Sequence, residues 1–107
     1  MTDILTKLET IVAARKSADP ETSYIAKRLH QGTEKLAQKF GEEAVETVIA
    51  AMKRDRAEII SESADMIFHW LMLISDAGVS VAEVMGELSR REGTSGLDEK
   101  ARRKMKE

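Results

Sequence analysis

The chain has 107 residues, of which 42% are hydrophobic and 34% are charged, so it is long enough for one domain with a small core. Its 17 basic and 19 acidic residues leave a net charge of −2, which argues against nucleic acid as a partner. Cysteine is absent, which excludes disulfides and thiolate chemistry. No apolar run is long enough to span a bilayer and residues 1–15 lack a signal-peptide pattern, so we expect a cytoplasmic protein without membrane contact.

Apolar residues at helical intervals predict a first helix over about residues 3–16. The single proline lies in the turn-rich stretch that follows. Ser23 is a suitable N-cap for a short helix over 24–31, and Gly32 is suited to close it. We expect Tyr24 and the basic residues of this short helix to be solvated unless they lie near an acidic cluster.

Thr33 is predicted to cap a third helix with one apolar face that ends near Met52. Gly41 interrupts this helix, which indicates either close approach by another group or simple tolerance. The charged residues 53–56 form a short connection to a fourth helix over about 57–76. A connection this short makes the third and fourth helices antiparallel neighbours.

A capping box, Ser80 with Glu83, opens a last helix with a single apolar stripe. No strand alternation is visible, so the predicted fold is all-α, an antiparallel bundle of four to five helices. We expect residues 1–92 to form the helical domain and residues 93–107 to form a basic C-terminal tail that could contact substrate. Charged tails are usually only solvated, and that alternative stays open here.

Two pairs of carboxylates stand out on the third and fourth helices: Glu43 with Glu46, and Glu62 with Asp65. Residues three apart project from nearly the same side of a helix, so each pair presents two negative charges together. Like charges at this spacing cost roughly 0.2–0.5 kcal/mol per pair. A cation held between the helices would offset that cost, and salt bridges to lysine or arginine are the simpler alternative.

The fourth helix is apolar around most of its circumference from Ser63 to Ile74, where Asp65 and His69 are the strongly polar residues. A helix of this kind is normally buried. A buried carboxylate must be paired, protonated or bound to a metal, because desolvating it alone is too costly. We therefore expect Asp65 to be a buried group with a specific partner.

Flanking helices with one apolar stripe each can cover only part of such a helix in a chain of this length. We therefore expect a partner subunit to cover the rest, most simply in a homodimer. Completion of the bundle by dimerisation is part of the predicted fold.

Three ordered segments of the sequence, and two short motifs inside them, resemble known families. EEAVE followed by ESAD resembles the metal-binding pattern of the all-α nucleoside triphosphate pyrophosphohydrolases. More narrowly, DPETSYIAKRLHQGTEKLAQKFGEEAVETVIAA, ESADMIFHWLMLI and REGTSGLDEKARRK are similar to the phosphoribosyl-ATP pyrophosphohydrolase family over nearly the whole chain. One departure is Phe68, where we expect the family commonly to have tyrosine, so this chain has no hydroxyl at that position.

The resemblance implies hydrolysis of phosphoribosyl-ATP to phosphoribosyl-AMP and diphosphate, in histidine biosynthesis, by a cytoplasmic helical oligomer that uses Mg²⁺. It implies that Glu43, Glu46, Glu62 and Asp65 are metal ligands.

Catalytic and substrate roles are hypotheses that rest on the chemistry of the residues around these ligands. Glu42 and Glu46 are both candidates for the base that activates water. His69 is expected to be a hydrogen-bonding group beside the ligands rather than a base, with a buried structural histidine as the alternative. The residues expected to contact substrate phosphates are Lys35, Lys39, Arg91, Ser95 and Lys100.

Two other functions stay open from the sequence. A housecleaning pyrophosphohydrolase that acts on ordinary or damaged nucleotides would share the metal motif. A non-catalytic helical interaction module could pair the same acidic stripe with a basic partner. A di-iron bundle is excluded by spacing, since the residues three before the two histidines are Lys27 and Met66.

Overall fold

The computed structural model describes residues 3–92 together with Lys100 and Arg103. The described residues contain five helices and no strand, which confirms the all-α class. The helices are α1 (Asp3–Arg15), α2 (Tyr24–His30), α3 (Thr33–Lys53), α4 (Arg56–Asp76) and α5 (Val81–Arg90).

The two longest helices, α3 and α4, form an antiparallel hairpin of 21 residues each. At one end the Thr33 hydroxyl at the start of α3 donates to the Asp76 carboxylate at the end of α4, over 2.6 Å. At the other end Lys53 Nζ lies 3.4 Å from the Glu58 carboxylate. These contacts confirm the predicted antiparallel arrangement, since each joins the beginning of one helix to the end of the other.

The joint between α3 and α4 is two residues long because both residues have conformations that suit a sharp reversal. Arg54 ends α3 in the left-handed region at φ 56°, which a non-glycine residue rarely adopts. The Asp55 carboxylate accepts a hydrogen bond from the Glu58 backbone N–H and so caps α4. α4 therefore begins at Arg56, one residue before the predicted start.

One local expectation at α3 differs from the structure, and a second is narrowed by it. Thr33 does not cap α3; Gly32 occupies the N-cap position with φ 93°, and the Thr33 side chain is bonded to Asp76 instead. A Cβ placed at Gly41 would meet no other atom within 4 Å. Close approach to Gly41 by another described helix is therefore not observed, which favours simple tolerance of this glycine.

The core lies where α1 and α2 cover one side of the hairpin. Val12, Leu36 and Met72 are buried against one another, one from each of α1, α3 and α4. α2 is capped as predicted by the Ser23 hydroxyl, which accepts from the Ala26 N–H, and α5 by the Ser80–Glu83 capping box. α5 packs on α1.

Only part of the apolar surface of α4 is exposed. Leu71 and Met72 are buried within the chain, whereas Ile60 and Ile67 are exposed. On α3 a continuous apolar stripe is also exposed. We call it the α3 stripe; its members are Val45, Val48, Ile49 and Met52.

No single described helix is both long and apolar enough to cross a membrane; α4 and α5 pass that test only as a pair, bent by 105°.

Candidate active site

The α3–α4 hairpin brings three of the predicted carboxylates together. Glu43 from α3 and Glu62 and Asp65 from α4 each place one oxygen so that all three atoms lie within 4.8 Å of one another. We call these three residues the carboxylate cluster. Glu43 and Glu62 are half-buried, and Asp65 is exposed. The cluster follows from the i, i+3 spacing on α4 and from the short joint that sets the register of the two helices.

The exposure of Asp65 differs from our expectation that it is buried. Helical periodicity places Asp65 on the apolar helix but does not say which part of that helix the neighbouring helices cover. α2 covers the following turn, where His69 is buried, and leaves the Asp65 carboxylate open. An exposed carboxylate in this place can reach a ligand that arrives from solvent.

The part of the chain that the structure describes does not neutralise the charge of the cluster. Among the described residues, no lysine or arginine forms a salt bridge with Glu43, Glu62 or Asp65. The pKa of Glu62 is raised by partial burial first, and then by the negative charges of Glu43, Asp65 and Glu46. Salt bridges to residues 3–92, Lys100 or Arg103 therefore do not offset the repulsion, and a bound cation would relieve it.

Glu46 is not one of the three carboxylates within 4.8 Å. Its charge nevertheless contributes to the raised pKa of Glu62, so it lies at the edge of the same group. Its side chain is exposed.

Glu42 has a different environment from the other acidic residues of α3. Its carboxylate accepts a hydrogen bond from Gln38 Nε2 at 3.0 Å and lies 3.4 Å from Lys39 Nζ. These contacts, with a weaker contribution from Lys35, lower the pKa of Glu42. A carboxylate with a lowered pKa is a weaker base, which argues against Glu42 for proton removal.

His69 is only 6% exposed and has both ring nitrogens engaged. Nδ1 lies 2.7 Å from the Asp65 backbone carbonyl, and Nε2 lies 3.2 Å from the Tyr24 hydroxyl. This arrangement fits a hydrogen-bonding role better than a role as base. Tyr24 was not among the predicted site residues, and the sequence offers no periodicity that would have joined it to a residue 45 positions away.

The predicted phosphate contacts are only partly described by the structure. Arg91 Nε donates to the Glu87 carboxylate over 2.9 Å, and the two arginines 90 and 91 lower the pKa of Glu87 to about 2. Lys100 is exposed, and Ser95 lies outside the described residues. Phosphate binding by Arg91, Ser95 and Lys100 therefore stays a prediction.

The repulsion in the cluster predicts a stability effect in metal-free protein. A carboxylate with a raised pKa in the folded state contributes stability at low pH that is lost as the pH rises through that pKa. Glu62→Gln should therefore raise the melting temperature in EDTA at pH 7, and the difference from wild type should shrink when the pH falls to where Glu62 is protonated. An unchanged or lower melting temperature at pH 7 would contradict the repulsion. Glu58→Gln, which also removes one carboxylate from α4 but at a residue that contacts Lys53 and not the cluster, is the control.

An all-helical domain whose central hairpin holds convergent carboxylates is the arrangement typical of all-α pyrophosphohydrolases. Comparison with known families makes this specific. Residues 5–92 match the family model of phosphoribosyl-ATP pyrophosphohydrolase, and the chain belongs to that family.

Curated relatives are similar over nearly their full length. The chain is 57% identical to a phosphoribosyl-ATP pyrophosphatase of Rhizorhabdus wittichii, over 96% of this chain and 97% of the relative. It is 54% identical to that of Dinoroseobacter shibae, over 94% and 98% of the two chains. Identity to the protein of the same name from Azospirillum brasilense is 56%, over 94% and 91%.

Proposed function

We propose that this chain hydrolyses phosphoribosyl-ATP to phosphoribosyl-AMP and diphosphate, the second step of histidine biosynthesis, in the cytoplasm. Family membership and the name shared by its relatives support this substrate. The observation in the structure that carries the proposal is the carboxylate cluster, three acidic oxygens within 4.8 Å without a cationic partner among the described residues. A protein with a purely structural acidic face has no need to bring like charges this close.

The donor set of the cluster fits a hard divalent cation, and we propose Mg²⁺. Carboxylate oxygens are the ligands that Mg²⁺ prefers. A bound Mg²⁺ usually retains several waters, which suits a site that is open to solvent at Asp65. Glu43, Glu62 and Asp65 would hold it, with Glu46 as the fourth proposed ligand. Such an ion would offset the negative charge of the substrate phosphates and favour attack by water on a phosphorus of the anhydride that joins the α- and β-phosphates, with cleavage of the P–O bond to the bridging oxygen.

Residues beside the proposed metal ligands would accept the proton of the attacking water and bind the phosphates. Glu46 is exposed beside the cluster and is not paired with a lysine or arginine among the described residues, so we propose that it accepts a proton from the attacking water. Lys39 contacts Glu42 and lies one turn before Glu43 on α3, and Lys35 lies one further turn before it. These two cations suit the phosphate oxygens of the substrate and of the leaving diphosphate.

Product analysis with phosphoribosyl-ATP, ATP and dCTP side by side tests this function. We expect diphosphate and phosphoribosyl-AMP from the first substrate and little turnover of the others. Preferential hydrolysis of ATP or dCTP would instead support a housecleaning pyrophosphohydrolase. Calorimetry with Mg²⁺ and diphosphate separates both from an interaction module, which should bind neither.

The basic tail gives a separate prediction. Removal of residues 93–107 should raise KM or abolish turnover while barely changing the melting temperature, because the tail contributes few apolar residues to any core and several cations to phosphate binding. Steady-state kinetics and thermal melts of the truncated chain measure both effects. Normal kinetics would show that the tail is only solvated.

We also propose that the protein is a homodimer. The α3 stripe and the exposed Ile60 and Ile67 of α4 form apolar surface that nothing within the described chain covers. Burial of large apolar side chains contributes roughly 1.5–3 kcal/mol each, so a partner that covers several of them would be held tightly. A second copy offers the same apolar stripe and so a complementary surface.

A further inference from the structure

We infer that Tyr24 is a positioning residue for the carboxylate cluster, and that it acts through His69 on the turn of α4 that carries Glu62 and Asp65. This inference rests on the proposed function, since it concerns how that site is held in shape. Neither residue touches the three cluster oxygens, so neither is assigned a catalytic role.

The directions of the two hydrogen bonds are fixed by chemistry. A backbone carbonyl can only accept, so His69 Nδ1 must carry the proton in its 2.7 Å contact with the Asp65 oxygen. In the neutral ring Nε2 is then the acceptor, and the Tyr24 hydroxyl donates to it over 3.2 Å. The chain Tyr24 O–H to His69 to Asp65 C=O thus runs in one direction from α2 to α4.

The orientation of the Tyr24 ring is also fixed. The ring stacks on Phe68 with centroids 6.5 Å apart and an interplanar angle of 19°, and the Arg28 guanidinium lies 5.0 Å from the ring centroid. Tyr24 is nevertheless 49% exposed, so filling the core is not its main role. Its hydroxyl is held toward His69 by contacts that do not need that hydroxyl, which makes a conservative substitution informative.

The burial of His69 makes the Tyr24 bond important. With only 6% of the residue exposed, an Nε2 atom without its donor loses a hydrogen bond that solvent cannot easily replace. The imidazole would then tilt or exchange its tautomer, and its bond to the Asp65 carbonyl would weaken. That carbonyl belongs to the residue whose carboxylate completes the cluster, so the change reaches the cluster through one peptide unit.

Bonds from a side chain to the carbonyl four residues earlier alter the local geometry of a helix. In α4 such a bond joins His69 to Asp65, one turn beyond Glu62. The Asp65 side chain is exposed and is not held by a salt bridge with a described residue, so its direction depends on the backbone beneath it. Tyr24 therefore sets the spacing of two of the three carboxylates from outside the cluster.

The test is Tyr24→Phe, which keeps the ring, its stacking and its contact with Arg28 and removes only the hydroxyl. Outer hydrogen-bond partners of metal ligands typically change metal affinity by about 10–100-fold, and we expect the lower end, about tenfold weaker Mg²⁺ binding by calorimetry. We also expect kcat to fall at subsaturating Mg²⁺ with little change in KM for the substrate. Loss of general stability would not produce that pattern.

A double-mutant cycle shows whether Tyr24 acts through His69. If it does, Tyr24→Phe should weaken Mg²⁺ binding in wild type but add little in a His69→Gln background. The ¹⁵N shift of His69 Nε2, measured without metal, should also change in Tyr24→Phe. Ile25→Val is the control for destabilisation, because it trims a core contact of the same helix and should lower the melting temperature without changing Mg²⁺ affinity.

The results distinguish a failure of the positioning role of Tyr24 from a failure of the proposed function. If the wild type hydrolyses phosphoribosyl-ATP but Tyr24→Phe binds Mg²⁺ with unchanged affinity, the positioning role is refuted and the proposed function stands. Additive effects in the double variant would also refute action through His69. If the wild type neither binds Mg²⁺ nor hydrolyses the substrate, both the proposed function and the positioning role are overturned.

Discussion

Asp65→Asn should remove nearly all turnover, about 100-fold or more, while leaving the helical content intact. The change takes one carboxylate from the cluster but keeps the shape of the side chain. Because Asp65 is exposed, no core contact is lost, and because the cluster is repulsive, loss of a charge does not destabilise the metal-free fold. Glu46→Gln should have a similar effect on turnover. Diphosphate release and circular dichroism measure the two quantities.

Thermal melts make the same test without turnover. Mg²⁺ bound only by the folded state should raise the melting temperature of wild type more than that of Asp65→Asn. Glu58→Gln is the matched control, since this glutamate lies on the same helix and contacts Lys53 rather than the cluster. Substantial activity in both Asp65→Asn and Glu46→Gln would refute the ligand assignment, and equal Mg²⁺ shifts would indicate metal bound elsewhere.

The second large effect concerns the α3 stripe. The double substitution Val48→Glu and Met52→Glu should dissociate the proposed dimer, because it places two charges in the centre of the apolar interface. Val48 is 59% and Met52 is 77% exposed in the single chain, so the substitution leaves the core of each subunit untouched. The molecular mass measured by light scattering should fall from about twice the 11.9 kDa chain mass to that of one chain.

Ile4→Glu is the control for this experiment, because Ile4 is also 59% exposed but lies on α1. It should leave the dimer intact. Leu71→Glu would be less informative, since Leu71 is buried within the chain and its substitution would unfold each subunit directly. A wild-type protein that is monomeric and active would refute the dimer and would show that the α3 stripe serves another purpose.

Local sequence patterns predicted most of the fold. Five helices, the cap at Ser23 and the capping box at Ser80 follow from periodicity and from side chains that bond their own backbone. The N-cap of α3 could not be predicted in this way, because the Thr33 hydroxyl donates to Asp76, 43 positions away. A local pattern cannot show when a distant residue competes for the same hydroxyl.

The sequence also predicted part of the site. Two carboxylate pairs and a short connection were enough to indicate an acidic group between α3 and α4. The exposure of Asp65 and the contact of Tyr24 with His69 depend on where α2 packs, and nothing in the short α2 sequence fixes that position. The pairing of Lys39 with Glu42 likewise depends on side-chain conformations that residue types alone leave open.

The two-residue joint at Arg54 and Asp55 also bears on how the protein folds. Glu43 and Glu62 are only 19 positions apart in the sequence and are brought together by consecutive helices. Contacts between chain-adjacent helices cost little loop-closure entropy and form early, whereas the contact of Tyr24 with His69 closes a loop of 45 positions. The acidic hairpin can thus form before α2 docks, and a cation that binds it would favour the early steps of folding as well as the finished protein.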